Sequence, residues 1–208
     1  MDGTDYVKNA VKLVKELLAN KDQQLVYGKK CMRPMPQDYR PELDISDVLD
    51  KQGIQEYQQF IRVAHWAVEL GRIDILFEVS LLSSHMAMPR KGHFEALMNI
   101  FAYLDKHPNA GLVFDDDTPE IRHQTVPETD WLQSIYGKGE EELPPNMPEP
   151  LGYPVQVIAF VDASHAGEKL TYWSHTGIIV YMNNSPIEFY SKRQNTCLLY
   201  TSPSPRDA

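Results

Sequence analysis

The sequence predicts an α+β fold in which a helical region, residues 1–110, precedes a three-stranded antiparallel sheet. Three observations carry that prediction. Apolar residues recur at three- and four-residue spacing up to Lys106, which is the period of helices with one buried face. Between Leu143 and Pro154 stand five prolines, Pro144, Pro145, Pro148, Pro150 and Pro154, which stiffen the chain into an extended linker. Beyond them, short apolar runs bounded by turn residues replace the helical period. The expected organisation is therefore a helical region at 1–110, an irregular Pro-rich linker at 111–154, a small sheet at 155–196, and a tail at 197–208.

Residues 5–19 open with Thr4 or Asp5 as an N-cap. They place Val7, Ala10, Val11, Val14, Leu17 and Leu18 on one face and Lys8, Lys12 and Lys15 on the other, an amphipathic helix. From Gln23 to Pro41 the period fails, and Pro34, Pro36 and Pro41 mark an extended connector. Residues 53–70 carry Ile54, Tyr57, Phe60, Ile61, Ala64, Trp66, Ala67, Val68 and Leu70, which reads as a mostly buried helix, and stop at Gly71, a residue favoured just past a helix end. Asp74 can cap the next helix, whose Ile75, Leu76, Val79, Leu82, Met86 stripe runs to Met88-Pro89, where proline disfavours the helical conformation of the residue before it. Pro89 then stands near the start of a fourth helix, with Phe94, Leu97, Met98, Phe101 and Leu104 inward, closing before Pro108.

Leu112-Val113-Phe114 is a short strand candidate, and residues 115–139 are polar with Trp131, Ile135 and Tyr136 as anchors. Val155 to Val161 is a buried strand ending at Asp162. Residues 176–182 and 186–191 are the second and third strands, joined by an Asn183-Asn184 turn. On the first strand Val155, Val157, Ala159 and Val161 fall on one face and Gln156, Ile158 and Phe160 on the other. A strand apolar on nearly both faces calls for cover on both, so an open face predicts self-association.

Composition excludes several classes of function. The chain has 208 residues, 20 Lys and Arg against 29 Asp and Glu, and a formal net charge of −9. Phosphate neutralisation needs clustered cations, so little nucleic-acid binding is expected of the chain alone, and its basicity is local to Lys29, Lys30 and Arg33. No apolar run approaches the roughly 20 residues of a membrane span, and Met1 leads into polar residues and not a signal sequence, so a cytoplasmic or nuclear protein is expected. Two cysteines, Cys31 and Cys197, make no disulfide framework or metal-thiolate spacing.

The last residues, Cys197 to Ala208, include Ser202-Pro203-Ser204-Pro205, which fixes φ twice and removes two amide donors, so the tail is expected to continue neither sheet nor helix. Written back through codons, residues 197–207 resemble the transposase-recognition end and adapter of sequencing-library preparation. The natural chain is on that reading expected to stop near Thr196, and the alternative is a natural Ser/Pro terminus.

The segment Phe160-Val161-Asp162-Ala163-Ser164-His165-Ala166-Gly167 is followed by a hairpin and by Pro186-Ile187-Glu188-Phe189-Tyr190-Ser191-Lys192-Arg193-Gln194. This resembles the start of the RNase H domain of copia-type long-terminal-repeat retrotransposons. Upstream, Tyr57-Gln58-Gln59-Phe60-Ile61, Gly71-Arg72-Ile73-Asp74-Ile75, Val79-Ser80-Leu81-Leu82-Ser83, Pro89, His93, Ala96-Leu97 and Tyr103-Leu104 are similar, in order, to the helical thumb or connection segment that follows the polymerase palm in Pol polyproteins of that family. Arg62 stands at the family's usual Gly and Ile73 at its usual Pro, while Trp173 replaces a residue that is often basic, as in a diverged or decaying copy.

The resemblance implies that Asp162 is a catalytic metal ligand, the first of several carboxylates that hold two Mg²⁺ ions for hydrolysis of the RNA strand of an RNA·DNA hybrid. It implies an RNA-directed DNA polymerase/RNase H parent whose remaining ligands follow the third strand. The chain itself is then expected to bind Mg²⁺ weakly or not at all and to be inactive. Without the resemblance, Asp162 reads as a strand-end carboxylate capping the next turn through the Ser164 or His165 amides.

Two features invite other readings. Phe114-Asp115-Asp116-Asp117 superficially matches a polymerase aromatic-x-Asp-Asp signature, but a solvated acidic turn fits its polar surroundings better. His85, His93 and His107 lie on or near helices without the i, i+4 spacing of a helical metal site and read as packing or surface residues. The rival function is a non-catalytic helical module, derived from a retroelement, whose helices between Gly53 and Lys106 bind a protein partner.

Overall fold

The computed structural model describes residues 3–27, 32–117, 145–148, 152, 155–164 and 167–197, with the side chains of 195–197 left aside. The described residues form an α+β structure of four α-helices, α1 (Gly3–Ala19), α2 (Lys51–Glu69), α3 (Leu76–Ser83) and α4 (Lys91–Lys106), and three strands, β1 (Val157–Ala163), β2 (Trp173–Met182) and β3 (Ser185–Cys197). No described helix is long and apolar enough to cross a membrane.

The helices share one core. Val7, Val11, Val14 and Leu18 of α1 are buried against Tyr57, Phe60 and Ile61 of α2, Val79 and Leu82 of α3, and Leu97, Phe101 and Leu104 of α4. Phe60 sits edge to face on Phe101, with centroids 5.9 Å apart. Each such side chain stabilises the fold by about 1.5–3 kcal/mol on leaving water. Inside this core the Tyr57 hydroxyl donates to the Leu82 carbonyl at 2.8 Å, which ties α2 to the end of α3.

Helix ends are where sequence reading and structure part. α2 starts at Lys51, two residues before the expected span, and Asp50 caps it, its carboxylate accepting from the Gly53 N–H at 2.8 Å. At the other end Gly71 has φ +103°, the Gly71 N–H reaches the Val68 carbonyl at 2.9 Å, and the Arg72 N–H reaches that of Ala67 at 3.1 Å. These are the two bonds of a Schellman cap, so the expected stop holds. The single helix expected from Asp74 to Met88 is instead a 3₁₀ turn at Ile73–Ile75, an eight-residue α3 and turns. At its start, Arg72, 2% exposed, forks onto Asp74 through Nε at 2.9 Å and Nη2 at 2.8 Å, which fixes the 3₁₀ turn before the helix begins. Pro89 lies outside α4, its carbonyl accepting from the Leu49 N–H, while α1 already includes Thr4 and Asp5 within its first turn.

Strands β1, β2 and β3 form an antiparallel meander in that order, as expected. The strands run further than their apolar cores. β1 continues to Ala163, so Asp162 lies inside it, and β3 continues to Cys197, paired with Trp173, so the ladder extends one residue into the segment expected to leave it. Backbone pairing needs no side-chain period, which is why alternation underestimates strand ends. Residues 198–208 lie outside the described residues. Leu112–Phe114 is not a strand, and Val113 and Phe114 are 76% and 68% exposed.

Candidate metal-ligand site on the sheet

Asp162 is the penultimate residue of β1, opposite Gly177 of β2, which is in turn opposite Ser191 of β3. Cross-strand partners share a face. Phe160, Ile179 and Phe189 form the adjoining row of that face, and Phe189 packs on the helical core. The Asp162 face is therefore the one turned toward the helices. Docking is made by Phe77 edge to face on His175, with centroids 5.6 Å apart, and by the Ser80 hydroxyl donating to the Ser191 carbonyl at 2.9 Å.

A groove of about 530 Å³ remains between α3 and the outer part of the sheet. Ile73, Leu76 and Phe77 line one wall, and Phe160, Asp162, Gly177 and Ile179 line the other. Asp162 is exposed at its mouth. The alternative reading of Asp162 as a turn cap is not met at Ser164, whose N–H goes to the His175 carbonyl at 2.9 Å, and whose hydroxyl accepts the His175 N–H at 2.9 Å. His165 lies outside the described residues.

Next to the groove, the buried Nε2 of His175 has no hydrogen-bond partner. Burial and then the Arg193 guanidinium hold the His175 pKa below its ordinary value, against the pull of Glu168. Arg193 lies over the Trp173 ring at 4.2 Å and 3.7 Å from Glu168, so the indole is covered by a cation from β3.

A two-ion site needs several carboxylates. Among the described residues, the one group of three ligand atoms lying together is Asp115, Asp116 and Asp117, and it does not include Asp162. The residues described around Asp162 thus do not by themselves fit a pair of divalent ions. The Asp115–Asp117 cluster is exposed and built into a turn against the β2–β3 hairpin, where Asp115 N–H donates to the Ser185 hydroxyl at 2.8 Å and Asn183 Nδ2 donates to the Asp116 carbonyl at 2.9 Å. It is the solvated acidic turn that the sequence suggests.

The histidines divide. His107 lies beside the Tyr103 ring, whereas His85 and His93, eight residues apart, meet ring to ring. Sequence spacing held no sign of that pair, because the turns after α3 bring it together. Of the local basic residues, Arg33 bonds Gln37 at 2.6 Å, and Lys29, Lys30 and Cys31 lie outside the described residues.

Comparison with known proteins gives one informative similarity. Over 123 residues the chain is 29% identical to the "Retrovirus-related Pol polyprotein from transposon RE1" of Arabidopsis thaliana, a match that covers 59% of this chain and 6% of that protein. It supports a retrotransposon Pol origin. No family model and no solved structure matches.

Proposed function

We propose that the chain is a stretch of a copia-type retrotransposon Pol polyprotein that joins the end of the reverse-transcriptase region to the start of an RNase H domain. The single observation that carries the reading is the ordered series of motifs from Tyr57 to Gln194, with Asp162 among them, together with the similarity to a transposon Pol polyprotein. A strand-borne carboxylate at the mouth of a groove, followed by an antiparallel meander, is compatible with it.

In this reading Asp162 supplies one ligand for Mg²⁺ in the parent enzyme, which cleaves the RNA strand of RNA·DNA hybrids. Bound Mg²⁺ would activate water and neutralise charge on the phosphate. What the chain's own residues contribute is position: pairing with Gly177 fixes the Asp162 backbone. Alone, one exposed carboxylate holds such an ion weakly, and the net charge of −9 disfavours a hybrid, so the chain itself is inactive.

The test is cleavage of a labelled RNA·DNA hybrid in Mg²⁺ or Mn²⁺ by this chain, by its Asp162→Asn variant, and by a longer chain carrying the downstream codons of the locus. Activity only in the longer chain, lost on Asp162→Asn, is the expected result. Asp162-dependent cleavage by the short chain sinks the proposal of inactivity, and a longer chain that cleaves equally well after Asp162→Asn sinks the assignment of Asp162. A helical protein-interaction module is the second reading. It is favoured by Trp66, 57% exposed on α2 beside a groove floored by Ile61, Met86 and Ala87. A longer chain without any nuclease activity would put that reading first.

A further inference from the structure

His85, in the turn after α3, and His93, the third residue of α4, stack with ring centroids 4.3 Å apart and planes inclined by 35°. His93 is 3% exposed. Its Nδ1 accepts the Arg90 N–H at 3.1 Å, and its Nε2 lies 2.9 Å from the Pro41 carbonyl, which can only accept. Together these contacts fix the neutral tautomer with its hydrogen on Nε2.

The first contact is one half of a capping box, in which the third helical residue reaches back to the N–H that precedes the helix. Glutamine or glutamate usually fills that role. Histidine can fill it only while Nδ1 is bare. A second proton has no other place to go, and on Nδ1 it would face the Arg90 N–H, donor against donor, at a distance now spanned by a bond.

We propose that the His85–His93 pair is a proton-operated latch between the helical elements. Neutral, it ties the connector at Pro41 and the turn after α3 to the first turn of α4. Protonated, His93 turns away and releases both the Arg90 N–H and the Pro41 carbonyl. The charged groups around the pair are of both signs. From the connector come Glu42 and Asp44, from α4 Arg90, whose guanidinium is bound to the Ser46 carbonyl, and from the sheet Glu168 and Arg193. The facing side chain of α2, Gln58, is neutral and donates to the Met86 carbonyl. The carboxylates favour a cation here, but they do not occupy the ring nitrogens, which are taken by backbone.

Burial first, and then His93, hold the His85 pKa below its ordinary value. Arg193 adds to this, while Glu168 and Glu42 oppose it. The closed latch therefore binds fewer protons than the open one. Its stability is complete above the ordinary histidine value of about 6.5 and is lost as pH falls below it, by up to about tenfold per pH unit for each excluded proton.

The experiment is a pH series from 8 to 5 on the ¹⁵N-labelled 208-residue chain. It reads the His93 tautomer from its ring nitrogens and the protection factor of the Arg90 amide against that of Ile100. At pH 8 the Nε2–H tautomer is expected, and below about 6.5 Arg90 protection should fall roughly tenfold per unit while Ile100 holds. In His93→Gln the amide oxygen keeps the cap without titrating, so Arg90 protection should be flat across the series. In His85→Gln, removal of the stacked ring should move the release to higher pH. An Nδ1–H tautomer at pH 8, flat wild-type protection down to pH 5, or a His93→Gln slope equal to wild type overturns the latch, and an unmoved midpoint in His85→Gln overturns the part of the pair. The wild-type tautomer decides the matter even if a variant fails to fold.

Discussion

Replacing Gly92 with alanine sets helix propensity against packing. Gly92 is the second residue of α4, and alanine there would by propensity alone stabilise the helix by up to about 1 kcal/mol. A Cβ on Gly92, however, would lie 1.8 Å from Asp44 Oδ2 and 2.8 Å from its Cγ, so the carboxylate must leave. That carboxylate is not a free end. Its Oδ2 accepts the Tyr39 hydroxyl at 2.7 Å and its Oδ1 accepts the Ser46 N–H at 2.8 Å and the Ser46 hydroxyl at 2.5 Å. The Ser46 hydroxyl also accepts the Gly92 N–H at 2.9 Å, so the same knot caps α4. Hydrogen bonds to a charged group are worth about 1.5–3 kcal/mol each, and loss of two, less the propensity gain, leaves Gly92→Ala about 2–5 kcal/mol less stable. For a chain of this size that lowers the melting temperature by roughly 5–15 °C. Thermal melts of Gly92→Ala, Asp44→Ala and the double variant read it directly. In the Asp44→Ala background the second substitution should be neutral or stabilising. A Gly92→Ala protein that melts at or above the parent temperature would refute the reasoning.

Three further outcomes follow from the same geometry. Arg72→Met removes both Arg72 bonds from Asp74, whose side chain stays 28% exposed and keeps water, and should cost about 1–3 kcal/mol at neutral pH. Burial pushes the Asp74 carboxyl up, but the Arg72 bonds outweigh it and hold it below the usual range, so the pair stabilises above about pH 4 and fades as pH falls further; the acid limb of the parent's stability curve should flatten in the variant. Glu78 is the reverse case, raised by burial first and also by Asp74, so its ionised form opposes folding once pH rises past its ordinary value. Glu78→Gln should melt higher than the parent at pH 7 and equally at pH 4, and equal shifts at both would count against the burial argument. The sheet face opposite Asp162 exposes Val157 (60%), Val161 (65%) and Tyr190 (43%); Val157→Lys with Val161→Lys should reduce light scattering at high concentration, and unchanged scattering would place self-association elsewhere.

The repeating features of this chain were legible before any coordinates. The apolar period of residues 7–18 and 57–68 announced α1 and α2, because a helix must present one continuous face to its neighbours. The apolar run Val157–Val161 and the Asn183-Asn184 turn likewise announced a meander, although the expected burial of that strand is not met, with Val157, Phe160 and Val161 60%, 56% and 65% exposed. Asp162 was legible as a residue, through its neighbours in the sequence, but its surroundings were not. That the Asp162 face looks toward α3, that Ser164 bonds β2 and not Asp162, and that no group of three ligand residues among the described residues includes Asp162 all depend on how the sheet docks. The 3₁₀ start before α3 goes with the fork from buried Arg72 onto exposed Asp74, and the His85–His93 stack with turns that no period describes. Periodicity reports the one surface that an element must bury, which is a property of the local chain. The partners that meet across that surface are chosen by packing between distant segments, so they could be read only from the folded protein.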